Sequence, residues 1–270
     1  MYSGTIVNTK SGRALGVHQK IDRIARRNVM HRVPHGMKFP TTKQILHFEG
    51  LHGPDGIKKK SPGRDEPWHF VDPNHIESSP LLDMVDDHIH NLRSALEKGN
   101  FERAGFEAAW MSHAVTDGLT PAHHYPLSEK IEELWGKSHD ERLTLIEKNL
   151  VPGENWRQVV AKTWEYRGAG GVFTAHYMFE WGVATTISPY AFEQTNASDS
   201  DIDEMTEVGY RSLLTHSIQF VDSLQMYEEF VKKGWNRHLA NQTRQVLIPE
   251  IIRMVELGWL AAMNPREIRR

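Results

Sequence analysis

Apolar residues recur along this chain at intervals of three and four. Val17, Ile21, Ile24 and Ala25 mark one short stripe of this kind. Leu81, Val85, Ile89, Leu92 and Leu96 mark a longer one, opened by Ser79-Pro80 and closed by Gly99-Asn100, which are helix start and stop signals. A third helix is predicted through Phe106, Trp110, His113 and Asp117, where the inward stripe ends on two polar residues. Helical patterns continue over Ser128–Lys148, Trp156–Tyr166, Val172–Ala184, Met205–Lys233 and Thr243–Met263, with Pro249 expected to kink or start the last. Sustained alternation of apolar and polar residues, the strand signature, is missing, and so is an Asn-Gly hairpin turn. Val33–Pro80 is rich in Pro, Gly, His and Lys, and a loop of that length is usually functional or disordered. Its Trp and Phe beside histidines favour function. The expected fold is therefore all-α: one multi-helix bundle over residues 1–270, with a long irregular loop region at about 33–80.

Composition narrows the chemistry. With 39% hydrophobic and 25% charged residues the chain reads as a soluble globular protein. No apolar run approaches the roughly 18 residues a membrane helix needs. Met1–Lys20 lacks the features of a secretory signal, so the chain reads as cytoplasmic as written, or as a mature exported form. The net charge of −3 argues against duplex DNA as a partner. The absence of cysteine excludes disulfide scaffolds, thiol catalysis and cysteine-ligated zinc. There are, however, 16 histidines, and neutral imidazole is the commonest nitrogen ligand for metals.

His113 and Asp117 stand four apart and so share one helical face. Because they extend an apolar stripe they point inward, where a carboxylate must be paired or bind a metal. Taken alone, the dyad is better explained by a His–Asp hydrogen bond within a core, and His18 and Asp22 repeat the spacing. The continuation adds weight, since Gly118-Leu-Thr-Pro121-Ala-His123-His124 delivers further imidazoles from a rigid turn at the helix end. His176 and Glu180 form another pair at the same spacing.

The pattern His113-x3-Asp117-x3-Pro121-x-His123, preceded by Asn100-Phe101-Glu102-Arg103-Ala104, resembles the core helix of the zinc-dependent phospholipase C and single-strand-specific zinc nuclease superfamily. Pro54-Asp55 followed by Trp68-His69-Phe70-Val71-Asp72-Pro73 is similar to a ligand-bearing segment of its phospholipase branch, and Gly16-Val17-His18 is similar to its early histidine. Those enzymes are helical and hold three zinc ions in a cleft. The resemblance implies one zinc on Asp55, His69, His113 and Asp117, and a second on His123, His176 and Glu180. A third would share Asp117 and take His18. In the family an N-terminal tryptophan completes that third site, whereas this chain starts Met1-Tyr2. Either the Met1 amine substitutes, or another donor does (His31, His35, His47 or His52), or the site stays weak or empty. The interval from His123 to His176 is also longer than in the family.

Two or three zinc ions on such ligands imply hydrolysis of a phosphodiester by activated water, with Asp55 as the general base by the same resemblance. Phospholipid and single-stranded nucleic acid are the candidate substrates. Glu180, where the nuclease branch carries Asp, favours phospholipid. A non-catalytic zinc-binding helical protein is the reading from another class. The remaining histidines are assigned blander roles: His88 and His90 in or behind a core, His216 and His238 packed or solvated. His139-Asp140 matches the dyad of HD-type phosphohydrolases, but the Ser138-x-x-Glu141 helix start explains it better. Lys58-Lys59-Lys60 is read as a solvated loop, while Trp68, Phe70 and Tyr125 are candidate walls beside the ligands.

Overall fold

The computed structural model describes residues 1–3, 16–60, 69–124 and 171–263, with scattered positions between 133 and 162. Among these residues the regular elements are helices and no strand occurs. The expected helices near 128–148 and 156–166, together with Trp68, Tyr125 and His139-Asp140, lie outside the described residues or touch them only at scattered positions.

Helix α5 (Phe101–Gly118) is the centre of the molecule, and its composition explains why. Ala104, Gly105, Ala108, Ala109 and Ala114 are small and buried, so neighbouring helices approach its backbone closely. A β-carbon at Gly105 would lie 3.2 Å from the backbone of Gln44 on α2 (Thr42–His47). Helix α4 (Pro80–Glu97) packs along α5, burying Leu81, Leu82, Val85, Ile89 and Leu92. Against the remaining faces lie α1 (Val17–Arg32) and the C-terminal helix, whose fully buried Trp259 donates from Nε1 to the carbonyl of Ala108 at 2.9 Å. Each such apolar side chain contributes about 1.5–3 kcal/mol by leaving water. The last turns of α5 carry His113 and Asp117, so the best-packed helix is also the one that presents them.

The expected loop at 33–80 is only partly irregular. Thr41 and Gln44 form a capping box that starts α2. A short turn over Gly50–His52 and helix α3 (Pro54–Lys60) follow, and a further short turn covers Ile76–Ser78. These pieces are too brief to show a helical hydrophobic period, and side-chain caps mark only the first two, at Thr41 and Glu49. Beyond α5 come a single turn, α6 (Pro121–His124), and then α7 (Val172–Ile187).

The predicted helix over Met205–Lys233 is three helices: α8 (Asp199–Val208), α9 (Tyr210–Ser223) and α10 (Met226–Lys233). The chain breaks at Gly209, with φ of 86°, and at Gln225, with φ of 51°, both in the left-handed region that ends helices. The final predicted helix divides likewise. After α11 (Arg237–Gln242) a π-turn spans Thr243–Leu247, and α12 runs over Ile248–Ala261. Pro249 starts α12: it offers no backbone N–H, which the first turn of a helix does not require.

Glu256 on α12 ties three elements together at one buried point. Its Oε2 accepts from Ala197 N at 3.0 Å and from Asn28 Nδ2 of α1 at 3.3 Å. Burial pushes its carboxyl up to about 7, against the smaller opposing pull of those two hydrogen bonds.

Candidate metal centre

Five stretches of chain meet over the end of α5. Helix α1 brings His18, α3 brings Asp55, the segment before Ile76 brings His69, and α6 and α7 bring His123, His176 and Glu180. Asp55 reaches the cluster because Gly56 lets α3 close on the preceding turn: a β-carbon there would sit 2.2 Å from the Leu51 carbonyl oxygen. Residues 1–3 lie across the opening of α1. Val17 N donates to Tyr2 O at 2.8 Å, and the Gln19 side chain donates to Ser3 O.

Three donor groups result, each with its ligand atoms within 4.8 Å of one another: His18 with His113 and Asp117; Asp55 with His69 and His113; and His123 with His176 and Glu180. Asp117 is the hub. Its Oδ2 contacts His69 Nδ1 and lies 3.2 Å from His113 Nε2. Its Oδ1 lies 3.4 Å from His18 Nε2, 3.7 Å from His123 Nδ1 and 2.6 Å from the Met1 amine. Glu180 Oε1 is 3.0 Å from both His123 Nε2 and His176 Nε2, and 3.3 Å from the same amine. Asp55 sits further out, 3.8 Å from His113 Nε2 and 4.0 Å from His69 Nδ1.

The electrostatics are those of a site that expects positive charge. Burial disfavours ionised Asp117, yet the Met1 amine and protonated His113 outweigh it and hold the carboxyl well below its usual range. Glu180 is likewise depressed, burial being overcome by the amine and His176. Asp55 is lowered more mildly, by His113 and His69 against burial. Conversely the Met1 amine is raised to about 10: burial opposes its charge, and the attraction of Asp117 and Glu180 prevails. His113 is raised well above an ordinary imidazole, because Glu49 and Asp117 overcome its burial. His123 goes the other way, pushed down to about 3 chiefly by burial.

The state of His123 tests whether these residues suit a metal. At neutral pH this ring carries one proton, and its Nδ1 stands 2.7 Å from the His69 carbonyl, which can only accept. The lone pair of Nε2 therefore faces the carboxylate oxygen of Glu180 at 3.0 Å. Two acceptors at that distance repel unless a cation lies between them. His176 repeats the arrangement, with Nδ1 3.3 Å from the Ala122 carbonyl and Nε2 turned to Glu180. An all-imidazole and carboxylate donor set of this spacing fits zinc, whose tetrahedral ligands at about 2.0–2.2 Å stand roughly 3.4 Å apart.

All eight residues singled out by sequence thus fall into one cluster: His18, Asp55, His69, His113, Asp117, His123, His176 and Glu180. Among the suggested third-site donors, the Met1 amine and carbonyl lie at the cluster, the carbonyl 2.7 Å from His18 Nε2. His31, His35, His47 and His52 are exposed elsewhere. His88 pairs with buried Glu107 at 2.5 Å, between α4 and α5. His90, His216 and His238 are exposed, and Phe70 packs against His123 and His176 at 5.2 and 6.0 Å. Of two further buried acids, Glu49 escaped sequence reasoning and Asp22 appeared there only as a repeat of the His–Asp spacing. Glu49 lies 3.1 Å from His113 Nδ1, and Asp22 accepts from Ser112 Oγ at 2.5 Å. Burial and the charge of Glu49 push Asp22 well above the carboxylate range. Neither stands at a telling distance in sequence from its partner.

No family model and no curated protein sequence matches the chain. Among solved structures it is similar to the crystal structure of alpha-toxin from Clostridium perfringens avian strain SWCP, with a TM-score of 0.56 at 11% sequence identity. The match covers 93% of this chain and 63% of that one, so the chain spans under two thirds of the toxin's length. What the two share is the all-helical fold.

Proposed function

We propose that this chain is a metal-dependent phosphodiester hydrolase of the phospholipase C type, a single domain that works with two or three zinc ions. The observation that carries the reading is the convergence of buried imidazole nitrogens and carboxylates around Asp117 and Glu180, a donor set suited to holding cations. The ligand set supported is Asp55, His69, His113 and Asp117 for one ion, His123, His176 and Glu180 for a second, and His18 with Asp117 for a third. The resemblance of the α5 motif to zinc-dependent phospholipases and the toxin-like fold support the same reading.

When bound, zinc would lower the pKa of its water to about 7 and offset charge on a reacting phosphoryl group. The chain's own residues do the rest. Asp117 turns one oxygen to each side and so holds neighbouring donor groups in register. Asp55 has a side chain 29% exposed, against 2% for Asp117. That exposure supports Asp55 as the carboxylate that meets entering water and takes its proton, the general-base role. Phe70 packs beside the His123 and His176 rings and gives that side an apolar wall.

Purified protein is expected to contain two or three zinc ions per chain and to hydrolyse a chromogenic phosphodiester. His113→Ala should lose zinc and activity, and Asp55→Asn should lose activity. Phosphatidylcholine vesicles and single-stranded DNA, assayed side by side, separate the substrate classes, with the phospholipid expected to turn over. One ion and no turnover on any substrate would identify a non-catalytic zinc protein instead.

A further inference from the structure

In His113, His123 and His176 one ring nitrogen is held from behind, and what holds it differs. His123 and His176 are held by backbone carbonyls, of His69 and Ala122. His113 is held by a carboxylate: its Nδ1 donates to Glu49, 3.1 Å from Oε1 and 3.4 Å from Oε2. Glu49 is itself buried, with a fully enclosed side chain. The sequence places it with care. Glu49 caps the Gly50–His52 turn, its Oε2 accepting from Gly50 N at 3.1 Å, which fixes the rotamer facing His113. Gly50 has φ of +62°, a conformation other residues rarely adopt. The far nitrogen of the ring, Nε2, is buried and forms no hydrogen bond among the described residues, and it points at Asp117 and Asp55.

His113 is also the imidazole shared by two of the three donor groups. A carboxylate behind a metal-bound imidazole fixes its tautomer and raises its basicity more than a carbonyl does, because it brings a full negative charge. We infer that Glu49 is a positioning residue of the zinc centre, holding His113 as its Nδ1–H tautomer and selectively tightening the ions on the Asp55–Asp117 side. The assignment rests on the zinc reading above, and it makes that side the tight end of the cluster.

Competition for zinc between the full chain and a chromophoric chelator tests it, ion by ion. Wild type must first take up zinc; if it takes none, the zinc reading fails and Glu49 loses its role with it. Given uptake, Glu49→Gln keeps an acceptor for Nδ1–H and removes the charge. It should weaken one or two ions by about 10- to 100-fold while at least one ion, that of His123, His176 and Glu180, keeps its wild-type affinity. Glu49→Ala should weaken the same ions further. The retained ion and an unchanged helical circular dichroism spectrum serve as the internal control for folding, and if the alanine variant does not fold, the glutamine variant decides. Nitrogen NMR of the zinc-loaded wild type should show His113 protonated at Nδ1. Affinities equal to wild type in Glu49→Gln, or equal weakening of every ion, would overturn the inference and leave the zinc reading standing.

Discussion

Glu256→Gln offers a quantitative test of the helical core, because the perturbation changes charge with almost no change in shape. An acid whose pKa is higher in the folded state binds its proton more tightly there, so folding is favoured as pH falls. For Glu256 this contribution is complete below the ordinary value of 4.5, declines as pH rises, and is gone once pH passes about 7. At about 1.4 kcal/mol for each tenfold in proton affinity, the span amounts to roughly 3 kcal/mol. Glutamine removes the titration but keeps an oxygen for Ala197 N and Asn28. Losing the charged acceptor sets about 1–2 kcal/mol against the gain. The variant should therefore be more stable than wild type by about 1–2 kcal/mol at pH 8, and equal or slightly less stable at pH 4.5. Urea unfolding of both proteins at several pH values measures this, and taking the difference cancels every titration the two share. A difference independent of pH between 4.5 and 8 would refute the reasoning.

Other expectations follow from the same contacts. Chelation should lower the thermal midpoint, since zinc at 100 times its Kd contributes about 2.7 kcal/mol per site to the folded state; identical melting with and without chelator would contradict it. His88→Ala should leave zinc content unchanged yet lower stability by about 1–3 kcal/mol, because buried Glu107 loses a partner. Zinc analysis beside urea unfolding distinguishes that outcome from a ligand's. Gly258→Ala would place a β-carbon 2.6 Å from Met111 Sδ and 2.9 Å from the Tyr210 ring, and should destabilise by about 1–3 kcal/mol. A neutral result in calorimetry would show that this contact relaxes freely.

The helices were legible where a sequence carries its own period and its own stop signals. Helix α4 runs between Ser79-Pro80 and Gly99 as its pattern indicates, and α5 carries His113 and Asp117 on a buried face for the same reason. Helical pattern failed at Gly209 and Gln225, where three helices were read as one, because hydrophobic spacing persists across a left-handed residue that reverses the chain. It also failed over 33–80, where helices of six or seven residues are too short to show a period. Which donor residues lie together is another matter. A spacing of four residues puts His113 beside Asp117, and His176 beside Glu180, since one helical turn determines both. Nothing local brings His18, Asp55 and His69 to that same face, or seats Met1 against Asp117. Glu49 is the plainest case: 64 residues before His113, it stands behind the ring only because α2 and α5 pack backbone to backbone at Gly105. Local pattern dictated the helices and their donor pairs, whereas the meeting of those pairs in one low-dielectric cavity came from packing between distant segments, which no single stretch of chain encodes.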